Sequence, residues 1–325
     1  MSNTEADPAE LLCRDHPGDG VTVLTPRDVP LGGPRAIRVR RTLPQRQRSL
    51  IGAWCFADHY GPQDVSESGG MDVAPHPHTG LQTASWLFSG EIEHRDSIGT
   101  HAVVRPGELN LMTAGHGIAH SEVSTVSKSD TVTLHGVQLW IALPDEHRDT
   151  ARDFQHYAPP LHHLSGATAR VFLGTLAGTT SPVPVFTPLL GAELTVEPGA
   201  TVTLDVDPAF EHGVLQDLGS VTVAGTALGT GELAYLAPGP GRLALANTGG
   251  EPARVLLLGG TPFAEELVMW WNFVGRSHEE IAEYRETWQA QADRFGSVEG
   301  YQGTTAWLPA PTLPQVRIKP RRNPA

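Results

Sequence analysis

Short apolar segments separated by turns recur along almost the whole chain, and this pattern restricts the fold more than any other feature. The 35 glycines and 27 prolines in 325 residues suit many short strands better than long helices. Such spacing is typical of an all-β barrel or sandwich. The segments are residues 83–88, 102–104, 109–112, 132–142, 192–196, 202–206, 221–223, 233–236, 243–246 and 255–258.

One turn–strand–turn pattern occurs twice. Residues 106–115 read PGELNLMTAG and residues 230–239 read TGELAYLAPG, at an offset of 124 residues. Two similar barrels in tandem would account for this repeat and for the length of the chain.

The same patterns divide the chain into five parts. Ser277 and Glu280 have the spacing of a capping box, which predicts that a helix begins there. The parts are a flexible N-terminus (1–20), a first barrel (21–145), a connection (146–180), a second barrel (181–262) and a C-terminal segment (263–325) with a helix over about 277–294.

Composition excludes several classes of protein. The net charge of −13 argues against a protein that binds nucleic acid by neutralising phosphates. No run of about 18 apolar residues is present, so we expect no membrane helix. The first residues, MSNTEADPAELLC, lack a basic stretch followed by an apolar one, and Cys13 and Cys55 have no CxxC spacing. We therefore expect a cytoplasmic protein with reduced thiols.

Two histidine motifs carry the strongest chemical signal. His76 and His78 flank Pro77, and His120 precedes Glu122 by two residues. Residues two apart on a strand point to the same face, about 6–7 Å apart, so each pair can direct two ligand atoms into one interior. Three imidazoles with one carboxylate suit Fe, Mn, Ni, Cu or Zn, and they leave coordination positions open. Pro77 cannot donate to a β-ladder, which places its strand at an edge or a barrel mouth.

Other histidines and a run of arginines have weaker signals. His94 lies in a polar stretch and is interpreted as a surface residue, whereas His116 and His59 are candidates for the pocket and its mouth. Six arginines favour a solvated strand face, with a partner-binding patch as the alternative. They are Arg35, Arg38, Arg40, Arg41, Arg46 and Arg48.

The sequence around the histidine motifs resembles the pirin family of the cupin superfamily. The specific similarity covers about residues 35–145, and residues 259–262 and 272–274 resemble the family's closing segment. The motifs are FADHYGP (56–62), PHPHTG (75–80), GEIEHRDS (90–97) and MTAGHGIAHSE (112–122). The resemblance implies a bicupin, two tandem antiparallel β-barrels of jelly-roll type, with a metal in the first barrel. It implies His76, His78, His120 and Glu122 as ligands. Iron(II) is the expected metal, and Zn, Mn, Ni, Cu or Co are alternatives.

Two features depart from the family pattern. Thr79 and Gln82 stand where many pirins have arginine and glutamate, so we expect a changed pocket with an intact metal centre. By the 124-residue offset, Ala244 and Ala246 fall where His120 and Glu122 lie in the first barrel. We therefore expect the second barrel to bind no metal.

The resemblance implies two functions from different classes. One is a quercetin 2,3-dioxygenase type of enzyme that opens a flavonol ring with dioxygen and releases carbon monoxide. In it Glu122 is both ligand and catalytic base, and the partners are a flavonol-like substrate and dioxygen. The other is a metal-binding regulatory protein, redox-sensing in one form, that acts on a protein partner through the arginine patch. An isomerase or sugar-binding cupin is a third reading. We expect a monomer.

Overall fold

A computed structural model describes residues 14–15, 20–30, 37–66, 70–125 and 133–323. The expected flexible N-terminus lies outside the described residues, except for Arg14–Asp15 and Gly20. Within the described part of the chain, no helix has both the length and the apolar character needed to cross a membrane.

The described residues form 27 strands and one helix. The strands of the first half are β1 Arg14–Asp15, β2 Val21–Leu24, β3 Arg27–Pro30, β4 Arg38–Leu43, β5 Trp54–Asp64, β6 Asp72–His78, β7 Leu81–Ser89, β8 Ile92–Asp96, β9 His101–Val104, β10 Leu109–Thr113, β11 Ile118–Ser124, β12 Thr133–Ala142 and β13 Asp153–Tyr157. The remaining elements are β14 His162–Leu164, β15 Ala167–Leu173, β16 Thr175–Leu176, β17 Thr179–Thr180, β18 Leu189–Val196, β19 Thr201–Asp205, β20 Glu211–Leu218, β21 Val221–Val223, β22 Thr226–Ala227, β23 Leu233–Leu236, β24 Arg242–Asn247, β25 Ala253–Gly260, β26 Val268–Trp270, β27 Phe273–Gly275 and α1 His278–Gln289.

Two barrels with the same strand order account for most of these strands. The first pairs a seven-stranded sheet, β13-β10-β7-β12-β5-β4-β3, with a four-stranded sheet, β6-β11-β8-β9. The second pairs an eight-stranded sheet, β1-β2-β23-β20-β25-β18-β15-β14, with the four-stranded sheet β19-β24-β21-β22. The repeated motif falls on β10 and β23, which hold the same place in the two orders. The prediction of an all-β chain with tandem antiparallel barrels is confirmed.

Each barrel contains one strand that the sequence assigned to another part of the chain. Strand β2, from the segment predicted for the first barrel, pairs with β23 of the second barrel. Strand β13, from the segment interpreted as a connection, pairs with β10 of the first barrel. The segment interpreted as a connection, 146–180, thus contributes β13 to the first barrel and β14 and β15 to the second. The domain boundaries at residues 145 and 181 stay a prediction.

The large sheets of the two barrels pack against each other. Ala84, Trp86, Val137 and Leu139 of the first barrel share one apolar cluster with residues of β15, β20 and β25. The opposite face of the same strands forms the interior of the first barrel. Since both faces are covered, β12 is buried along almost its whole length, which explains its nearly continuous apolar sequence.

The C-terminal segment covers the outer face of the four-stranded sheet of the first barrel, which carries the two histidine motifs. Helix α1 begins after the N-cap Ser277, whose hydroxyl accepts a hydrogen bond from the Glu280 backbone N–H, and it buries Ile281, Tyr284 and Trp288. These side chains pack in one cluster with Ala119 of β11. The helix ends at Gln289, before the expected Arg294, and Gln291 has a φ of 50°. The backbone N–H of Leu308 donates to the carbonyl of Pro75, so the C-terminal segment also covers the edge strand β6.

Candidate metal centre

The two histidine motifs lie on adjacent antiparallel strands. His120 of β11 is directly opposite His76 of β6, and Ile118 is opposite His78. The ring centroids of His76 and His120 are 4.3 Å apart, and those of His78 and His120 are 5.0 Å apart. One ligand atom from each of the three imidazoles lies within 4.8 Å of the others. The strand of Pro77 is the edge strand of its sheet, as its missing N–H predicts.

Four buried polar atoms in this place have no hydrogen-bond partner. They are Nε2 of His76, His78 and His120, and Oε2 of Glu122. The Nδ1 atoms of His76 and His78 lie 2.9 Å and 3.0 Å from the carbonyl oxygens of Ala74 and Asn272. Each Nδ1 therefore carries the proton and leaves a lone pair on Nε2. Unpartnered buried nitrogens cost free energy, and a metal ion bound by their lone pairs would remove that cost.

Burial also favours the protonation state that a metal needs. It lowers the pKa of His76, His78 and His120 well below the ordinary value, because the charged imidazolium is poorly solvated inside the barrel. Neutral imidazoles are competent ligands at neutral pH. Glu122 is the fourth expected ligand, but its carboxylate lies outside the 4.8 Å group. The pairing of β11 with β6 shifts register between His120 and Glu122, so that His120 is opposite His76 and Glu122 is opposite Val73.

His94, interpreted above as a surface residue, lies beside the centre, so that prediction is wrong. It is 4% exposed, and its Nδ1 lies 3.4 Å from Nδ1 of His120. Its Nε2 lies 3.1 Å from Oδ2 of Asp96. Strand β8 pairs with β11, which brings His94 and Asp96 against the ligand strand. The chain Asp96–His94–His120 can thus fix the tautomer and orientation of His120, as carboxylates and carbonyls commonly do for metal-bound histidines.

Replacing His94 by alanine is expected to weaken metal binding about 10- to 100-fold, because His120 loses its orienting partner. Competition against a chelating dye with zinc(II) measures this affinity. His101→Ala is the matched control, since His101 is an exposed histidine that pairs with Glu93 on the neighbouring strand. Equal zinc affinity in the His94 variant and the wild type would contradict the orienting role.

The two departures from the family pattern point away from the barrel interior. Thr79 is buried, and its hydroxyl donates to the carbonyl of Val274 in the C-terminal segment at 3.3 Å. The Gln82 amide donates to the Thr113 hydroxyl at 2.9 Å. Gln82 lies on the face of β7 that carries Ala84 and Trp86, which pack on the second barrel. Neither residue changes the charge beside the ligands.

The 124-residue offset places Ala244 and Ala246 on the partly exposed face of β24, whereas Leu243 and Leu245 of that strand lie in the core of the second barrel. Ala244 pairs with Thr203, and Ala246 pairs with Thr201. Asp205 lies on the same exposed face of β19 as Thr203 and forms an ion pair with Arg242 at 3.2 Å, so this face differs from the buried face that carries His76 and His78. The expectation that this barrel binds no metal stays a prediction.

A second group of histidines joins the two barrels. Nε2 of His59 and Nε2 of His135 each lie 2.6 Å from Oδ1 of Asp217 on β20. Arg254 donates to the other carboxylate oxygen of Asp217 at 2.6 Å, and Nε of Arg40 donates to Nδ1 of His59 at 3.0 Å. Because Arg40 occupies the Nδ1 lone pair, His59 carries its proton on Nε2 and has no lone pair for a metal. Two guanidinium groups further repel a cation, so this group fits a buried polar network.

Histidines that stay neutral when buried make stability depend on pH. Burial lowers the folded-state pKa of His59, His76, His78, His120 and His212. Below about pH 6.5 the unfolded chain takes up protons that the folded chain does not. Each such histidine then lowers the free energy of unfolding by about 1.4 kcal/mol per pH unit, until the pH reaches its folded-state pKa.

The metal-free protein is therefore expected to lose stability between about pH 6.5 and 5, and to change little between pH 7 and 8. Urea unfolding in the presence of a chelator, at pH 8, 7, 6 and 5, measures the trend. A free energy of unfolding that is the same at pH 7 and pH 5 would show that these histidines are not held neutral.

Arg40 and Arg41 form internal contacts, which corrects the expectation of a solvated face at these two positions. Arg41 is buried and binds Asp58 through two hydrogen bonds of 2.7 Å. Arg40 is half-buried between His59 and the carbonyl of Gly61. Arg38 is exposed, Arg48 contacts Glu211, and Arg35 lies outside the described residues. Because Arg40 donates to His59, it belongs to the inter-barrel network and not to a free surface.

Comparison with known proteins agrees with this architecture. Residues 36–141 match the Pirin family, and residues 191–296 match the Pirin C-terminal cupin domain. A Pseudomonas aeruginosa protein named "Putative quercetin 2,3-dioxygenase" is 46% identical over 318 residues, which cover 97% of this chain and 98% of that protein. A "Pirin-like protein" of Caulobacter vibrioides is 37% identical over 258 residues, covering 78% of this chain and 88% of that protein.

A solved structure leads to the same family. The crystal structure of quercetin 2,3-dioxygenase from Acinetobacter baumannii superposes with a TM-score of 0.85 at 39% sequence identity. The alignment covers 92% of this chain and 97% of that one. With both of its cupin domains matched and a relative alike along nearly the whole chain, this protein belongs to the pirin family.

Proposed function

We propose that this pirin is a flavonol 2,3-dioxygenase with one divalent metal in its first barrel, held by His76, His78, His120 and Glu122. The observation that carries the proposal is the convergence of three buried imidazoles, each with an unpartnered Nε2, inside one barrel, with the unpartnered Oε2 of Glu122 on the same strand as His120. The names of the relatives from P. aeruginosa and A. baumannii support the reaction class. Iron(II) is the proposed metal, and this donor set also accepts Zn, Mn, Ni, Cu or Co.

The metal would supply Lewis acidity and open coordination positions. The protein residues would accept a proton, bind the substrate ring and exclude water. Oε2 of Glu122 is unpartnered and buried, so it can accept the proton of a flavonol hydroxyl. Trp140, stacked on Phe56 at 4.1 Å, lies 5.1 Å from the His78 ring and offers a flat surface beside the ligands. Burial of all these side chains keeps water away from the deprotonated substrate.

Dioxygen uptake with quercetin tests the proposal. The protein is loaded anaerobically with iron(II), mixed with quercetin and dioxygen, and followed by oxygen electrode, flavonol absorbance and released carbon monoxide. We expect catalytic uptake, and a drop of at least about 10³-fold in His120→Ala, because a Lewis-acidic metal contributes several kcal/mol. His212→Ala is the control, since His212 is a buried histidine of the second barrel. No uptake by wild type with one metal per chain would refute flavonol oxidation.

The regulatory alternative stays a prediction with a smaller surface, because Arg40 and Arg41 are engaged inside the protein, whereas Arg38 and Arg46 are exposed. A cytoplasmic location, a monomeric state and the absence of nucleic-acid binding stay predictions.

A further inference from the structure

A row of five polar residues crosses the large sheet of the first barrel from strand to strand. The register pairs Asn110 with Ser85, Ser85 with Gln138, Gln138 with Asp58 and Asp58 with Arg41. All five side chains are buried, with relative exposures between 0% and 5%. We call this set the polar row. A buried row of polar residues across five neighbouring strands has no equivalent on the apolar face behind it.

The polar row faces the metal-ligand sheet across the barrel interior. The next row on the same face contains Met112, Thr83, Trp140 and Phe56, as the same strand pairs show. Trp140 of that row lies 5.1 Å from the ring of His78. Residues of the opposite parity, such as Leu139, pack on the second barrel. Gln138 of the polar row is therefore two positions along β12 from Trp140, whose ring lies beside the His78 ring.

Only part of the row is satisfied within the protein. Arg41 and Asp58 neutralise each other, and the Ser85 hydroxyl donates to Oε1 of Gln138 at 2.8 Å. Both amide atoms of Asn110, Nε2 of Gln138 and Nε1 of Trp140 have no partner. Each unpartnered buried group is destabilising, whereas an apolar side chain of the same shape would fit without that cost.

Tyr60 adds a hydroxyl on the other side of the row. It pairs with Gly136, shares an apolar cluster with Val73 of the ligand sheet, and its hydroxyl is buried without a partner. Burial raises its pKa well above the ordinary value, and the charges of Glu122 and Asp58 act in the same direction. The buried hydroxyl has no partner within the protein and can donate a hydrogen bond to a bound molecule.

We propose that Asn110, Gln138, Trp140 and Tyr60 form the wall that binds the oxygen atoms of the substrate. The free groups are mostly donors: two amides, an indole N–H and a phenol. They suit a flat aromatic molecule whose polar edge carries a carbonyl and hydroxyl oxygens, as a flavonol does. This inference rests on the proposed function. It adds that the sheet opposite the metal ligands sets the orientation of the bound substrate.

Asn110→Leu is the decisive variant, because it removes two unpartnered atoms and deprives no protein group of a partner. Anaerobic titration of the zinc(II)-loaded protein with quercetin measures binding without turnover. We expect a Kd about 5- to 100-fold higher and a thermal midpoint that is unchanged or higher. Asn247→Leu is the matched control. Asn247 is equally buried but fully bonded to Val196, Glu251 and Gly249, so its replacement should lower the midpoint and spare binding.

Tyr60→Phe is the second variant, with Tyr284→Phe of helix α1 as its control, and it decides the question if Asn110→Leu fails to fold. We expect weaker quercetin binding in Tyr60→Phe and unchanged binding in Tyr284→Phe. Unchanged binding in both interior variants, with a wild type that binds and oxidises quercetin, overturns this inference and leaves the proposed function standing. A lower midpoint with unchanged binding assigns the groups to ordered water, which also overturns it. A zinc-loaded wild type that does not bind quercetin overturns both.

Discussion

Replacing Glu122 by glutamine is expected to lower kcat for flavonol oxygenation about 10²- to 10⁴-fold while the protein keeps its metal. Glutamine retains an oxygen in the same place and can still contact the metal, but it cannot take up the proton of the substrate hydroxyl. Steady-state rates at saturating quercetin, with the metal content of the same sample determined by elemental analysis, separate the two effects.

Glu193→Gln is the control for this experiment. Glu193 is a largely buried carboxylate of the second barrel, where it accepts a hydrogen bond from the Trp86 indole at 2.7 Å. Burial raises the pKa of Glu193. Glu122 is also a buried carboxylate, so the two variants make the same chemical change in a similar setting. Full turnover in Glu122→Gln would exclude Glu122 as the base. Loss of the metal in that variant would assign Glu122 to coordination instead.

Replacing Asp217 by asparagine is expected to lower the free energy of unfolding by about 3–5 kcal/mol, because it leaves a buried charge network without its anion. The Asp217 side chain is fully buried between the barrels, where His59, His135 and Arg254 surround it. Burial alone would raise its pKa, but the hydrogen bonds from His135 and His59 and the charge of Arg254 outweigh burial and hold the pKa well below the ordinary value. Urea unfolding of the metal-free proteins at pH 7 measures the loss.

Asp205→Asn makes the same chemical change in an exposed ion pair of the second barrel. Since exposed pairs contribute little, we expect no measurable change in stability. If Asp217→Asn unfolded at the same urea concentration as wild type, the inter-barrel network would not hold the barrels together.

The local sequence was enough to predict the ligand motifs and the kind of fold. His76 with His78, and His120 with Glu122, are two residues apart, and the two-residue period of a strand places each pair on one face whatever the strand pairs with. Pro77 likewise predicted an edge strand, because a missing N–H is a property of the residue itself. The repeated turn–strand–turn motif predicted the second barrel for the same local reason.

Contacts between distant segments were beyond such patterns. Two residues on β8, His94 and Asp96, have the same two-residue spacing as the ligand pairs, and that spacing was the available signal. Their role depends on β8 pairing with β11, which a polar segment does not reveal. The sequence around His59 does not predict its contact with Asp217, which is 158 residues away in the other barrel.

The sequence by itself therefore determined the strands, the two barrels and the four candidate metal ligands, since each follows from a short-range period or from a resemblance in contiguous motifs. The tertiary structure alone decided which polar side chains are buried together: the Asp96–His94–His120 chain, the Asp217 network and the polar row. The reason is physical. Alternation along a strand sets the face on which a side chain lies, whereas strand register and barrel packing set what that face meets.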